Sequence, residues 1–337
     1  MIRFNVPTIG RKDLESVLYC MIEDDLLPGG RLKEYAALLR GRLGLSGVTV
    51  CNNCLSPFEI ALELVGTRRE DEVICASFSR PGILKALGRL GIIPVPVDVE
   101  EDSFLPSMDS VKKKISPKTR CLIISHMFGI PHDLSAFKEL GLPVLEDLDG
   151  SLGSTVNGVP AGSFGDFVTT SFTDDSIITT GTGAMLGTSK REMKTRVKDA
   201  VFQEQLMSDF NAALGISQLV KLDENIARRG EIGAYYDAAV SLGGPSFVDR
   251  DESKSLCYSA YVVKTGTPFE ECKRFFKRSG IPVRRGLEKP LHQLLGLGIR
   301  DFEHTERLYQ QVVALPIYPG LKKEEIEKVA KCIRSIL

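Results

Sequence analysis

The sequence has no surplus of positive charge, no long apolar run and no cysteine framework, and each absence closes off a class of function. Formal net charge is -1, so nothing argues for nucleic acid or an anionic membrane surface as a partner. No apolar run approaches the roughly 20 residues that a membrane-spanning helix needs. The opening stretch, MIRFNVPTIGRKDLES, lacks the apolar core of a secretory leader, and a cytoplasmic location is expected. The eight cysteines follow no framework spacing. Most sit in apolar runs, such as Cys75 in VICAS and Cys121 in RCLII, and read as small buried hydrophobes in a reducing compartment. Cys51 and Cys54 form a lone CxxC, whereas a zinc site asks for a second pair or nearby histidines. No cluster of His, Cys and acids shows metal-ligand spacing, so no metal is expected. GSFGDF and TTGTGA contain glycines but lack the spacing and strand–helix context of a phosphate loop or dinucleotide fingerprint. Internal repeats and low-complexity segments are also missing.

What is present is an alternation of strands and helices. The 337 residues suffice for a sizeable core and about two domains. Asp13 and Glu15 open a first helix, where acids favour the helix dipole. Leu32, Tyr35, Ala36 and Leu39 step by three and four and mark one buried helical face. Apolar runs then predict strands at 48–50, 72–76, 92–97, 121–125 and 143–145, with helices at 58–65, 83–90, 111–115 and 132–140. Near-continuous apolar strands fit a mainly parallel sheet covered on both faces. A long helix is expected over 208–240, with Leu219, Leu222 and Ile226 on one face. A smaller α+β unit follows, with a strand near 258–263, a helix near 269–277, a short strand at 281–284 and a closing helix striped by Ile326, Val329, Ile333 and Ile336. The expected domains are 1–240 and 241–337.

Several stretches together carry a family likeness: FGDFVTTSFTDDSIITTGTGAMLGTS at 164–189, DEVICASFS, GIIPVPVDVE, ISHMFGIPHDL, VLEDLDGSLGS and NAALGISQLVKLDENIARRGEI. The chain resembles the DegT/DnrJ/EryC1/StrS sugar aminotransferases, pyridoxal phosphate (PLP) enzymes of fold type I, along nearly its whole length. The resemblance implies a large α/β domain with a mainly parallel seven-stranded sheet, a small C-terminal α+β domain, and a homodimer in which two subunits share each site. A longer excursion between Leu186 and Asn211, common in the family, is short here.

The same likeness assigns site residues. Ser176 falls on the position of the lysine that forms the Schiff base. Asp147 falls on the carboxylate that pairs with the pyridine nitrogen, and Asp149 adds a second acid at the same mouth. Asp147 lies at the C-terminal end of a predicted strand, where open α/β sheets place ligands, although such an Asp also caps turns. Arg80 takes the ring-stacking position; a guanidinium stacks on a flat ring or holds an anion, and before Pro81 it also reads as a solvated residue. Ser171 matches the phosphate-binding serine. Cys54-Leu55-Ser56-Pro57 replaces the phosphate turn, with Ser56 offering a hydroxyl one position along and Pro57 fitting a first helical turn. His126 falls near the cofactor, and His292 in the small domain near the sugar-nucleotide side.

An aminotransferase needs a lysine for the imine, a carboxylate for the ring nitrogen and donors for the phosphate. With serine at 176, the first expectation is a ligand-binding protein that performs no transamination, pairing with itself or with an active paralogue, its ligand a small molecule such as a sugar nucleotide. The alternative is a PLP-dependent aminotransferase acting on keto sugars in nucleotide-sugar or polysaccharide biosynthesis. A third is chemistry repurposed around Arg80, His126, Asp147 and Asp149. One cleft lined by Ser176, Asp147, Arg80, His126 and Ser171, with Ser56 at its rim, is expected.

Overall fold

A computed structural model describes residues 2–23, 26–240, 246–248 and 250–336. Two helices, α1 (Arg11–Ile22) and α2 (Gly30–Leu43), lead into an alternating series. It runs β1 (Gly47–Cys51), α3 (Ser56–Val65), β2 (Glu72–Ala76), α4 (Gly82–Leu90), β3 (Ile93–Val97), α5 (Met108–Lys114), β4 (Thr119–Ser125), α6 (Ser135–Lys138) and β5 (Val144–Asp147). The short β6 (Thr155–Val156) and β7 (Val159–Pro160) follow, then β8 (Phe167–Ser171), β9 (Ala184–Thr188), α7 (Lys194–Asp199), α8 (Asp209–Val220) and α9 (Leu222–Val240). The remainder holds β10 (Ser246–Phe247), β11 (Lys254–Ser255), β12 (Tyr261–Lys264), α10 (Phe269–Arg278), β13 (Arg284–Arg285), α11 (Leu291–Leu294), α12 (Glu303–Gln311), β14 (Val312–Leu315) and α13 (Lys323–Ser335).

The main sheet has seven strands in the order β1-β9-β8-β5-β4-β2-β3. Pairs among β3, β2, β4, β5 and β8 are parallel, while β9 runs antiparallel to both β8 and β1. One face of this sheet packs Val48, Val50, Val168 and Met185 against Tyr35 and Leu39 of α2 and against Phe172. The other packs Cys75, Ile123, Leu145 and Leu186 against Ile60 of α3, Ile83 and Leu87 of α4 and Val197 of α7. Cover on both faces explains why these strands read as unbroken apolar runs. Each fully buried Leu, Ile or Phe here contributes about 1.5–3 kcal/mol. At the turn before β9, Gly183 has φ +109, and a Cβ there would come 2.7 Å from the Cys51 carbonyl oxygen, so the strand enters the sheet only with glycine at that point.

A second, antiparallel sheet has the order β10-β12-β14-β13. Its core joins Tyr261, Val263, Val313 and Leu315 to Phe276, to Val329 and Ile333 of α13, and to Ile232 and Tyr236 of α9. Thus α9 shares its buried face with the second unit. A three-stranded sheet, β11-β6-β7, also ties residue 254 back to the first unit. The boundary expected at 240/241 adjoins 241–245, which lie outside the described residues.

Four expectations are corrected. The helix at 132–140 shrinks to the single turn α6, because Pro131 precedes it and the Asp133 carboxylate accepts the Ser135 N–H at 2.8 Å. The helix at 208–240 is two helices, α8 and α9, that meet at Lys221, whose Nζ donates to the Thr8 carbonyl at 2.8 Å and pairs with buried Asp13. The strand at 258–263 begins only at Tyr261, since Tyr258 sits at φ +52. The strand at 281–284 is confined to Arg284–Arg285.

Candidate functional site

Parallel strands deliver their C-terminal ends to one edge of the sheet. Ser125 ends β4, Asp147 ends β5, Ser171 ends β8, and Arg80 follows β2. Asp147 is 3% exposed. Its Oδ2 accepts from Ser125 Oγ at 3.0 Å, and its Oδ1 accepts the Asp149 N–H at 3.0 Å. Burial pushes its pKa up, opposed first by the charge of Arg80, then by the Ser125 bond and His126. The Arg80 guanidinium pairs through Nη1 with the Asp149 carboxylate and donates from Nη2 to the Asp149 carbonyl oxygen. Desolvation lowers its pKa while Asp147 and Asp175 oppose the shift. Ser171 Oγ donates to the other Asp149 carboxylate oxygen.

Ser176 joins this group. Its Oγ lies 3.3 Å from Ser171 Oγ and accepts the Thr173 N–H at 3.1 Å. The residue is 8% exposed. The 173–176 turn is latched from outside: Asn5 Nδ2 donates to the Asp174 carbonyl at 2.9 Å, and Arg284 pairs with Asp175 at 2.9 Å.

Two cavities meet here. An inner one of about 250 Å³ is lined by Cys54, Leu55, Phe58, Asp147, Thr170 and Ser171, among others. An outer one of about 310 Å³ is lined by Phe4, Asn5, Phe128, Ser259, Arg284 and Arg285, among others. Arg80, Asp149 and Thr173 line both, so the Arg80–Asp149 pair stands between them. Among the described residues that line either cavity, none is a lysine.

The start of α3 is occupied by its own chain. Asn53 Oδ1 accepts the N–H groups of Leu55 and Ser56 at 3.0 and 2.9 Å, and its Nδ2 donates to Ser56 Oγ at 2.9 Å. These are donors that a helix N-terminus otherwise offers to an anion. Ser56 is buried and does not line the inner cavity, where Cys54 and Leu55 stand instead.

Of the expected site residues, Asp147, Arg80 and Ser171 line the inner cavity; Ser176 touches Ser171 but lines neither cavity, and Ser56 is buried at the start of α3 rather than at a rim. The two histidines do not join them. His126 is fully buried, with Nε2 donating to Glu146 at 2.9 Å and Nδ1 accepting the His132 N–H at 3.1 Å. Glu146 precedes Asp147 on β5 and therefore points to the opposite face. His292 is fully buried too, its Nδ1 2.7 Å from Ser77 Oγ and its Nε2 2.8 Å from Glu306. Both ring nitrogens are committed and the ring stacks on Phe302 with centroids 4.2 Å apart, so it ties the end of β2 to Glu306 and lines neither of the two cavities. Sequence reasoning missed Asn53, Ser125, Arg284 and Arg285. Asn53 had a legible signal, an Asn ahead of a Pro-containing helix start; the arginines had none.

The sequence profile described as the DegT/DnrJ/EryC1/StrS aminotransferase family matches residues 7–334. A dTDP-4-dehydro-2,3,6-trideoxy-D-glucose 4-aminotransferase of Saccharopolyspora spinosa is 27% identical, the match covering 98% of this chain and 95% of the relative. The crystal structure of the aminotransferase TlmJ from Streptoalloteichus hindustanus superposes with a TM-score of 0.92 at 27% identity, over 99% of this chain and 98% of that one. The PLP form of Spr1654 from Streptococcus pneumoniae superposes with a TM-score of 0.91 at 22% identity, over 99% and 98%. The architecture is that of the fold-type I PLP aminotransferases, as the sequence resemblance implied.

Proposed function

The chain belongs to the DegT/DnrJ/EryC1/StrS aminotransferase family, and from that premise we propose that it binds a small-molecule ligand in the family's cleft without transaminating it. The observation that carries this reading is Ser176. Its hydroxyl is buried 3.3 Å from Ser171 Oγ, which lines the inner cavity, at the position where the family pattern asks for an imine-forming amine. A hydroxyl forms no imine with an aldehyde. Two donors at the start of α3, the Leu55 and Ser56 N–H groups, are taken by Asn53, and the Arg80–Asp149 pair lines the cavity beside Asp147. On this reading the residues present do not fit a covalently held PLP, and no catalytic step runs through that cofactor. What the chain's own groups do is bind and orient: Asp149 and Ser171 accept and donate at the inner cavity, while Arg284 and Arg285 face the outer one. The relative from S. spinosa is named for a dTDP-linked sugar, which makes a nucleotide-linked sugar the ligand class we put forward.

A second reading, PLP-dependent transamination of a keto sugar, is favoured by the family match from residue 7 to 334 and by a buried carboxylate, Asp147, lining the inner cavity at the end of β5. One set of measurements separates the two. Under the first reading, added PLP gives no visible aldimine band, borohydride traps no phosphopyridoxyl-lysine, and glutamate drives no half-reaction. Half-reaction turnover on the order of 1 per second or faster would establish the second.

For assembly we propose a homodimer, with pairing to an active paralogue as the other outcome of a sedimentation measurement. The support is α1, whose Leu14, Leu18 and Ile22 recur every four residues and are 64%, 55% and 68% exposed. An apolar stripe of that kind on a helix is costly unless covered.

A further inference from the structure

We propose that Arg80 decides which ligands the inner cavity accepts: its guanidinium is the resident cation beside Asp147 and Asp149, and it excludes flat cationic rings such as a protonated pyridine. The inference deepens the ligand-binding reading above, and it is tested with a molecule that needs no lysine to bind, so the two stand or fall separately.

Three features make Arg80 a built part of the cavity. First, it is held at two nitrogens by one residue, Nη1 on the Asp149 carboxylate and Nη2 on the Asp149 carbonyl oxygen. Second, Asp149 is itself held, by Ser171 Oγ on its carboxylate and by its own N–H donating to Asp147 Oδ1 at 3.0 Å. Third, the backbone makes room for the guanidinium. Gly150 sits at φ +79, and a Cβ there would come 3.1 Å from Arg80 Nη2 and 2.7 Å from Ser259 Oγ. Any larger residue at 150 would be strained by φ and crowded by Arg80 and Ser259.

The charge arithmetic points the same way. Asp147 and Asp149 place two carboxylates at the cavity, and a carboxylate that is almost fully buried needs a cation nearby. Arg80 supplies it from within the chain. A protonated ring entering to lie against Asp147 would meet the like charge of Arg80 in the same cavity lining, and Asp147 Oδ1 is already engaged by the Asp149 N–H. A neutral or anionic ligand faces no such conflict.

The test titrates pyridoxamine 5′-phosphate, which carries the ring and phosphate but no aldehyde, into the full-length protein by calorimetry. Wild type is expected to show no saturable binding, whereas Arg80→Gln and Arg80→Met, which remove the charge, bind at least roughly tenfold tighter. Arg80→Lys, which keeps a cation, binds no better than wild type. Wild-type binding tighter than about 10 μM overturns the inference while leaving the absence of transamination untouched. A gain in Arg80→Lys equal to that in Arg80→Gln also overturns it, because bulk rather than charge would then be the filter. So does a folded Arg80→Gln, by circular dichroism, that gains nothing. If neither neutral variant folds, Arg80 is a structural brace and the inference is likewise lost. Transamination is read independently by the glutamate half-reaction.

Discussion

Glu146 and Asp147 are neighbours on β5, both acidic and both buried, yet they do opposite things. Glu146 faces the closed side of the sheet. It accepts from His126 Nε2 at 2.9 Å, from the Gly162 N–H at 2.7 Å and from the Gly165 N–H. Asp147 faces a cavity of about 250 Å³ and holds only one hydroxyl and one backbone N–H, with its counter-charge supplied across space by Arg80. Burial alone therefore does not mark a site. A carboxylate held by three donors and packed on every side is a staple; one with fewer donors and a cavity beside it is a place where a ligand can bind.

The largest effect that would break this contrast is expected on the closed side. Glu146→Ala strands the His126 ring N–H and two backbone N–H groups in the interior, and each unsatisfied buried donor costs about 1–3 kcal/mol. A loss of at least about 3 kcal/mol in urea unfolding is expected; a loss within about 1 kcal/mol would mean that the staple is dispensable.

Next comes Ser176→Lys. The Ser176 hydroxyl closes its turn by accepting the Thr173 N–H, so its removal should cost about 1 kcal/mol. The variant is not expected to transaminate, because groups that act as a unit recover little when one is restored. Asn53 still holds the Leu55 and Ser56 N–H groups and Arg80 still pairs with Asp149 in the cavity wall. Conversion of bound PLP to pyridoxamine phosphate by glutamate, at rates on the order of 1 per second, would show the rest of the site to be competent.

Asp147→Asn should change stability less, by about 1 kcal/mol or under, because the cavity side has fewer bonds to lose. Its signature is in pH dependence. Burial raises the pKa of Asp147, so the folded state holds a proton that the unfolded chain releases at the ordinary aspartate value of about 3.9. Stability from this group therefore falls as pH rises from that value through the raised one, and it is lowest at neutral pH. The difference in urea midpoint between wild type and Asp147→Asn should shift in favour of the variant as pH rises from about 4 to 7. A difference that is flat with pH would put the proton elsewhere.

The smallest effect belongs to Arg284→Ala. The Arg284–Asp175 pair spans 2.9 Å, but its side chains are 52% and 64% exposed, and such pairs contribute between about 0 and 1 kcal/mol. Unfolding should move by no more than that; a larger loss would mark the latch on the 173–176 turn as part of the core.

Much of this was legible in the chain. Apolar runs at 72–76, 121–125 and 143–145 placed three adjacent parallel strands, because strands buried on both faces must be apolar throughout. Once those strands are parallel, their C-terminal ends share an edge, and Arg80 and Asp147 gather there; Ser171 joins through β8, which no apolar run in the sequence marked. The helix expected at 132–140 failed for a local reason, since Pro131 and the Asp133 cap outweigh the apolar pattern.

What the sequence could not decide is the face. In a strand covered on both sides the alternation carries no polarity signal, so Val-Leu-Glu-Asp does not tell which acid meets the cavity. Only the register Ser125↔Asp147 between β4 and β5 puts Asp147 beside Ser125 and sends Glu146, with His126, to the other side. The same holds for His292, whose two ring nitrogens are claimed by Ser77 and Glu306, partners that no local pattern brings together. The sequence by itself determined the strands β1 to β5 of the main sheet, because their unbroken apolar runs are a short-range signal. Tertiary structure alone decided which buried polar groups spend their bonds on the scaffold and which keep one free, because that depends on neighbours far apart in the chain.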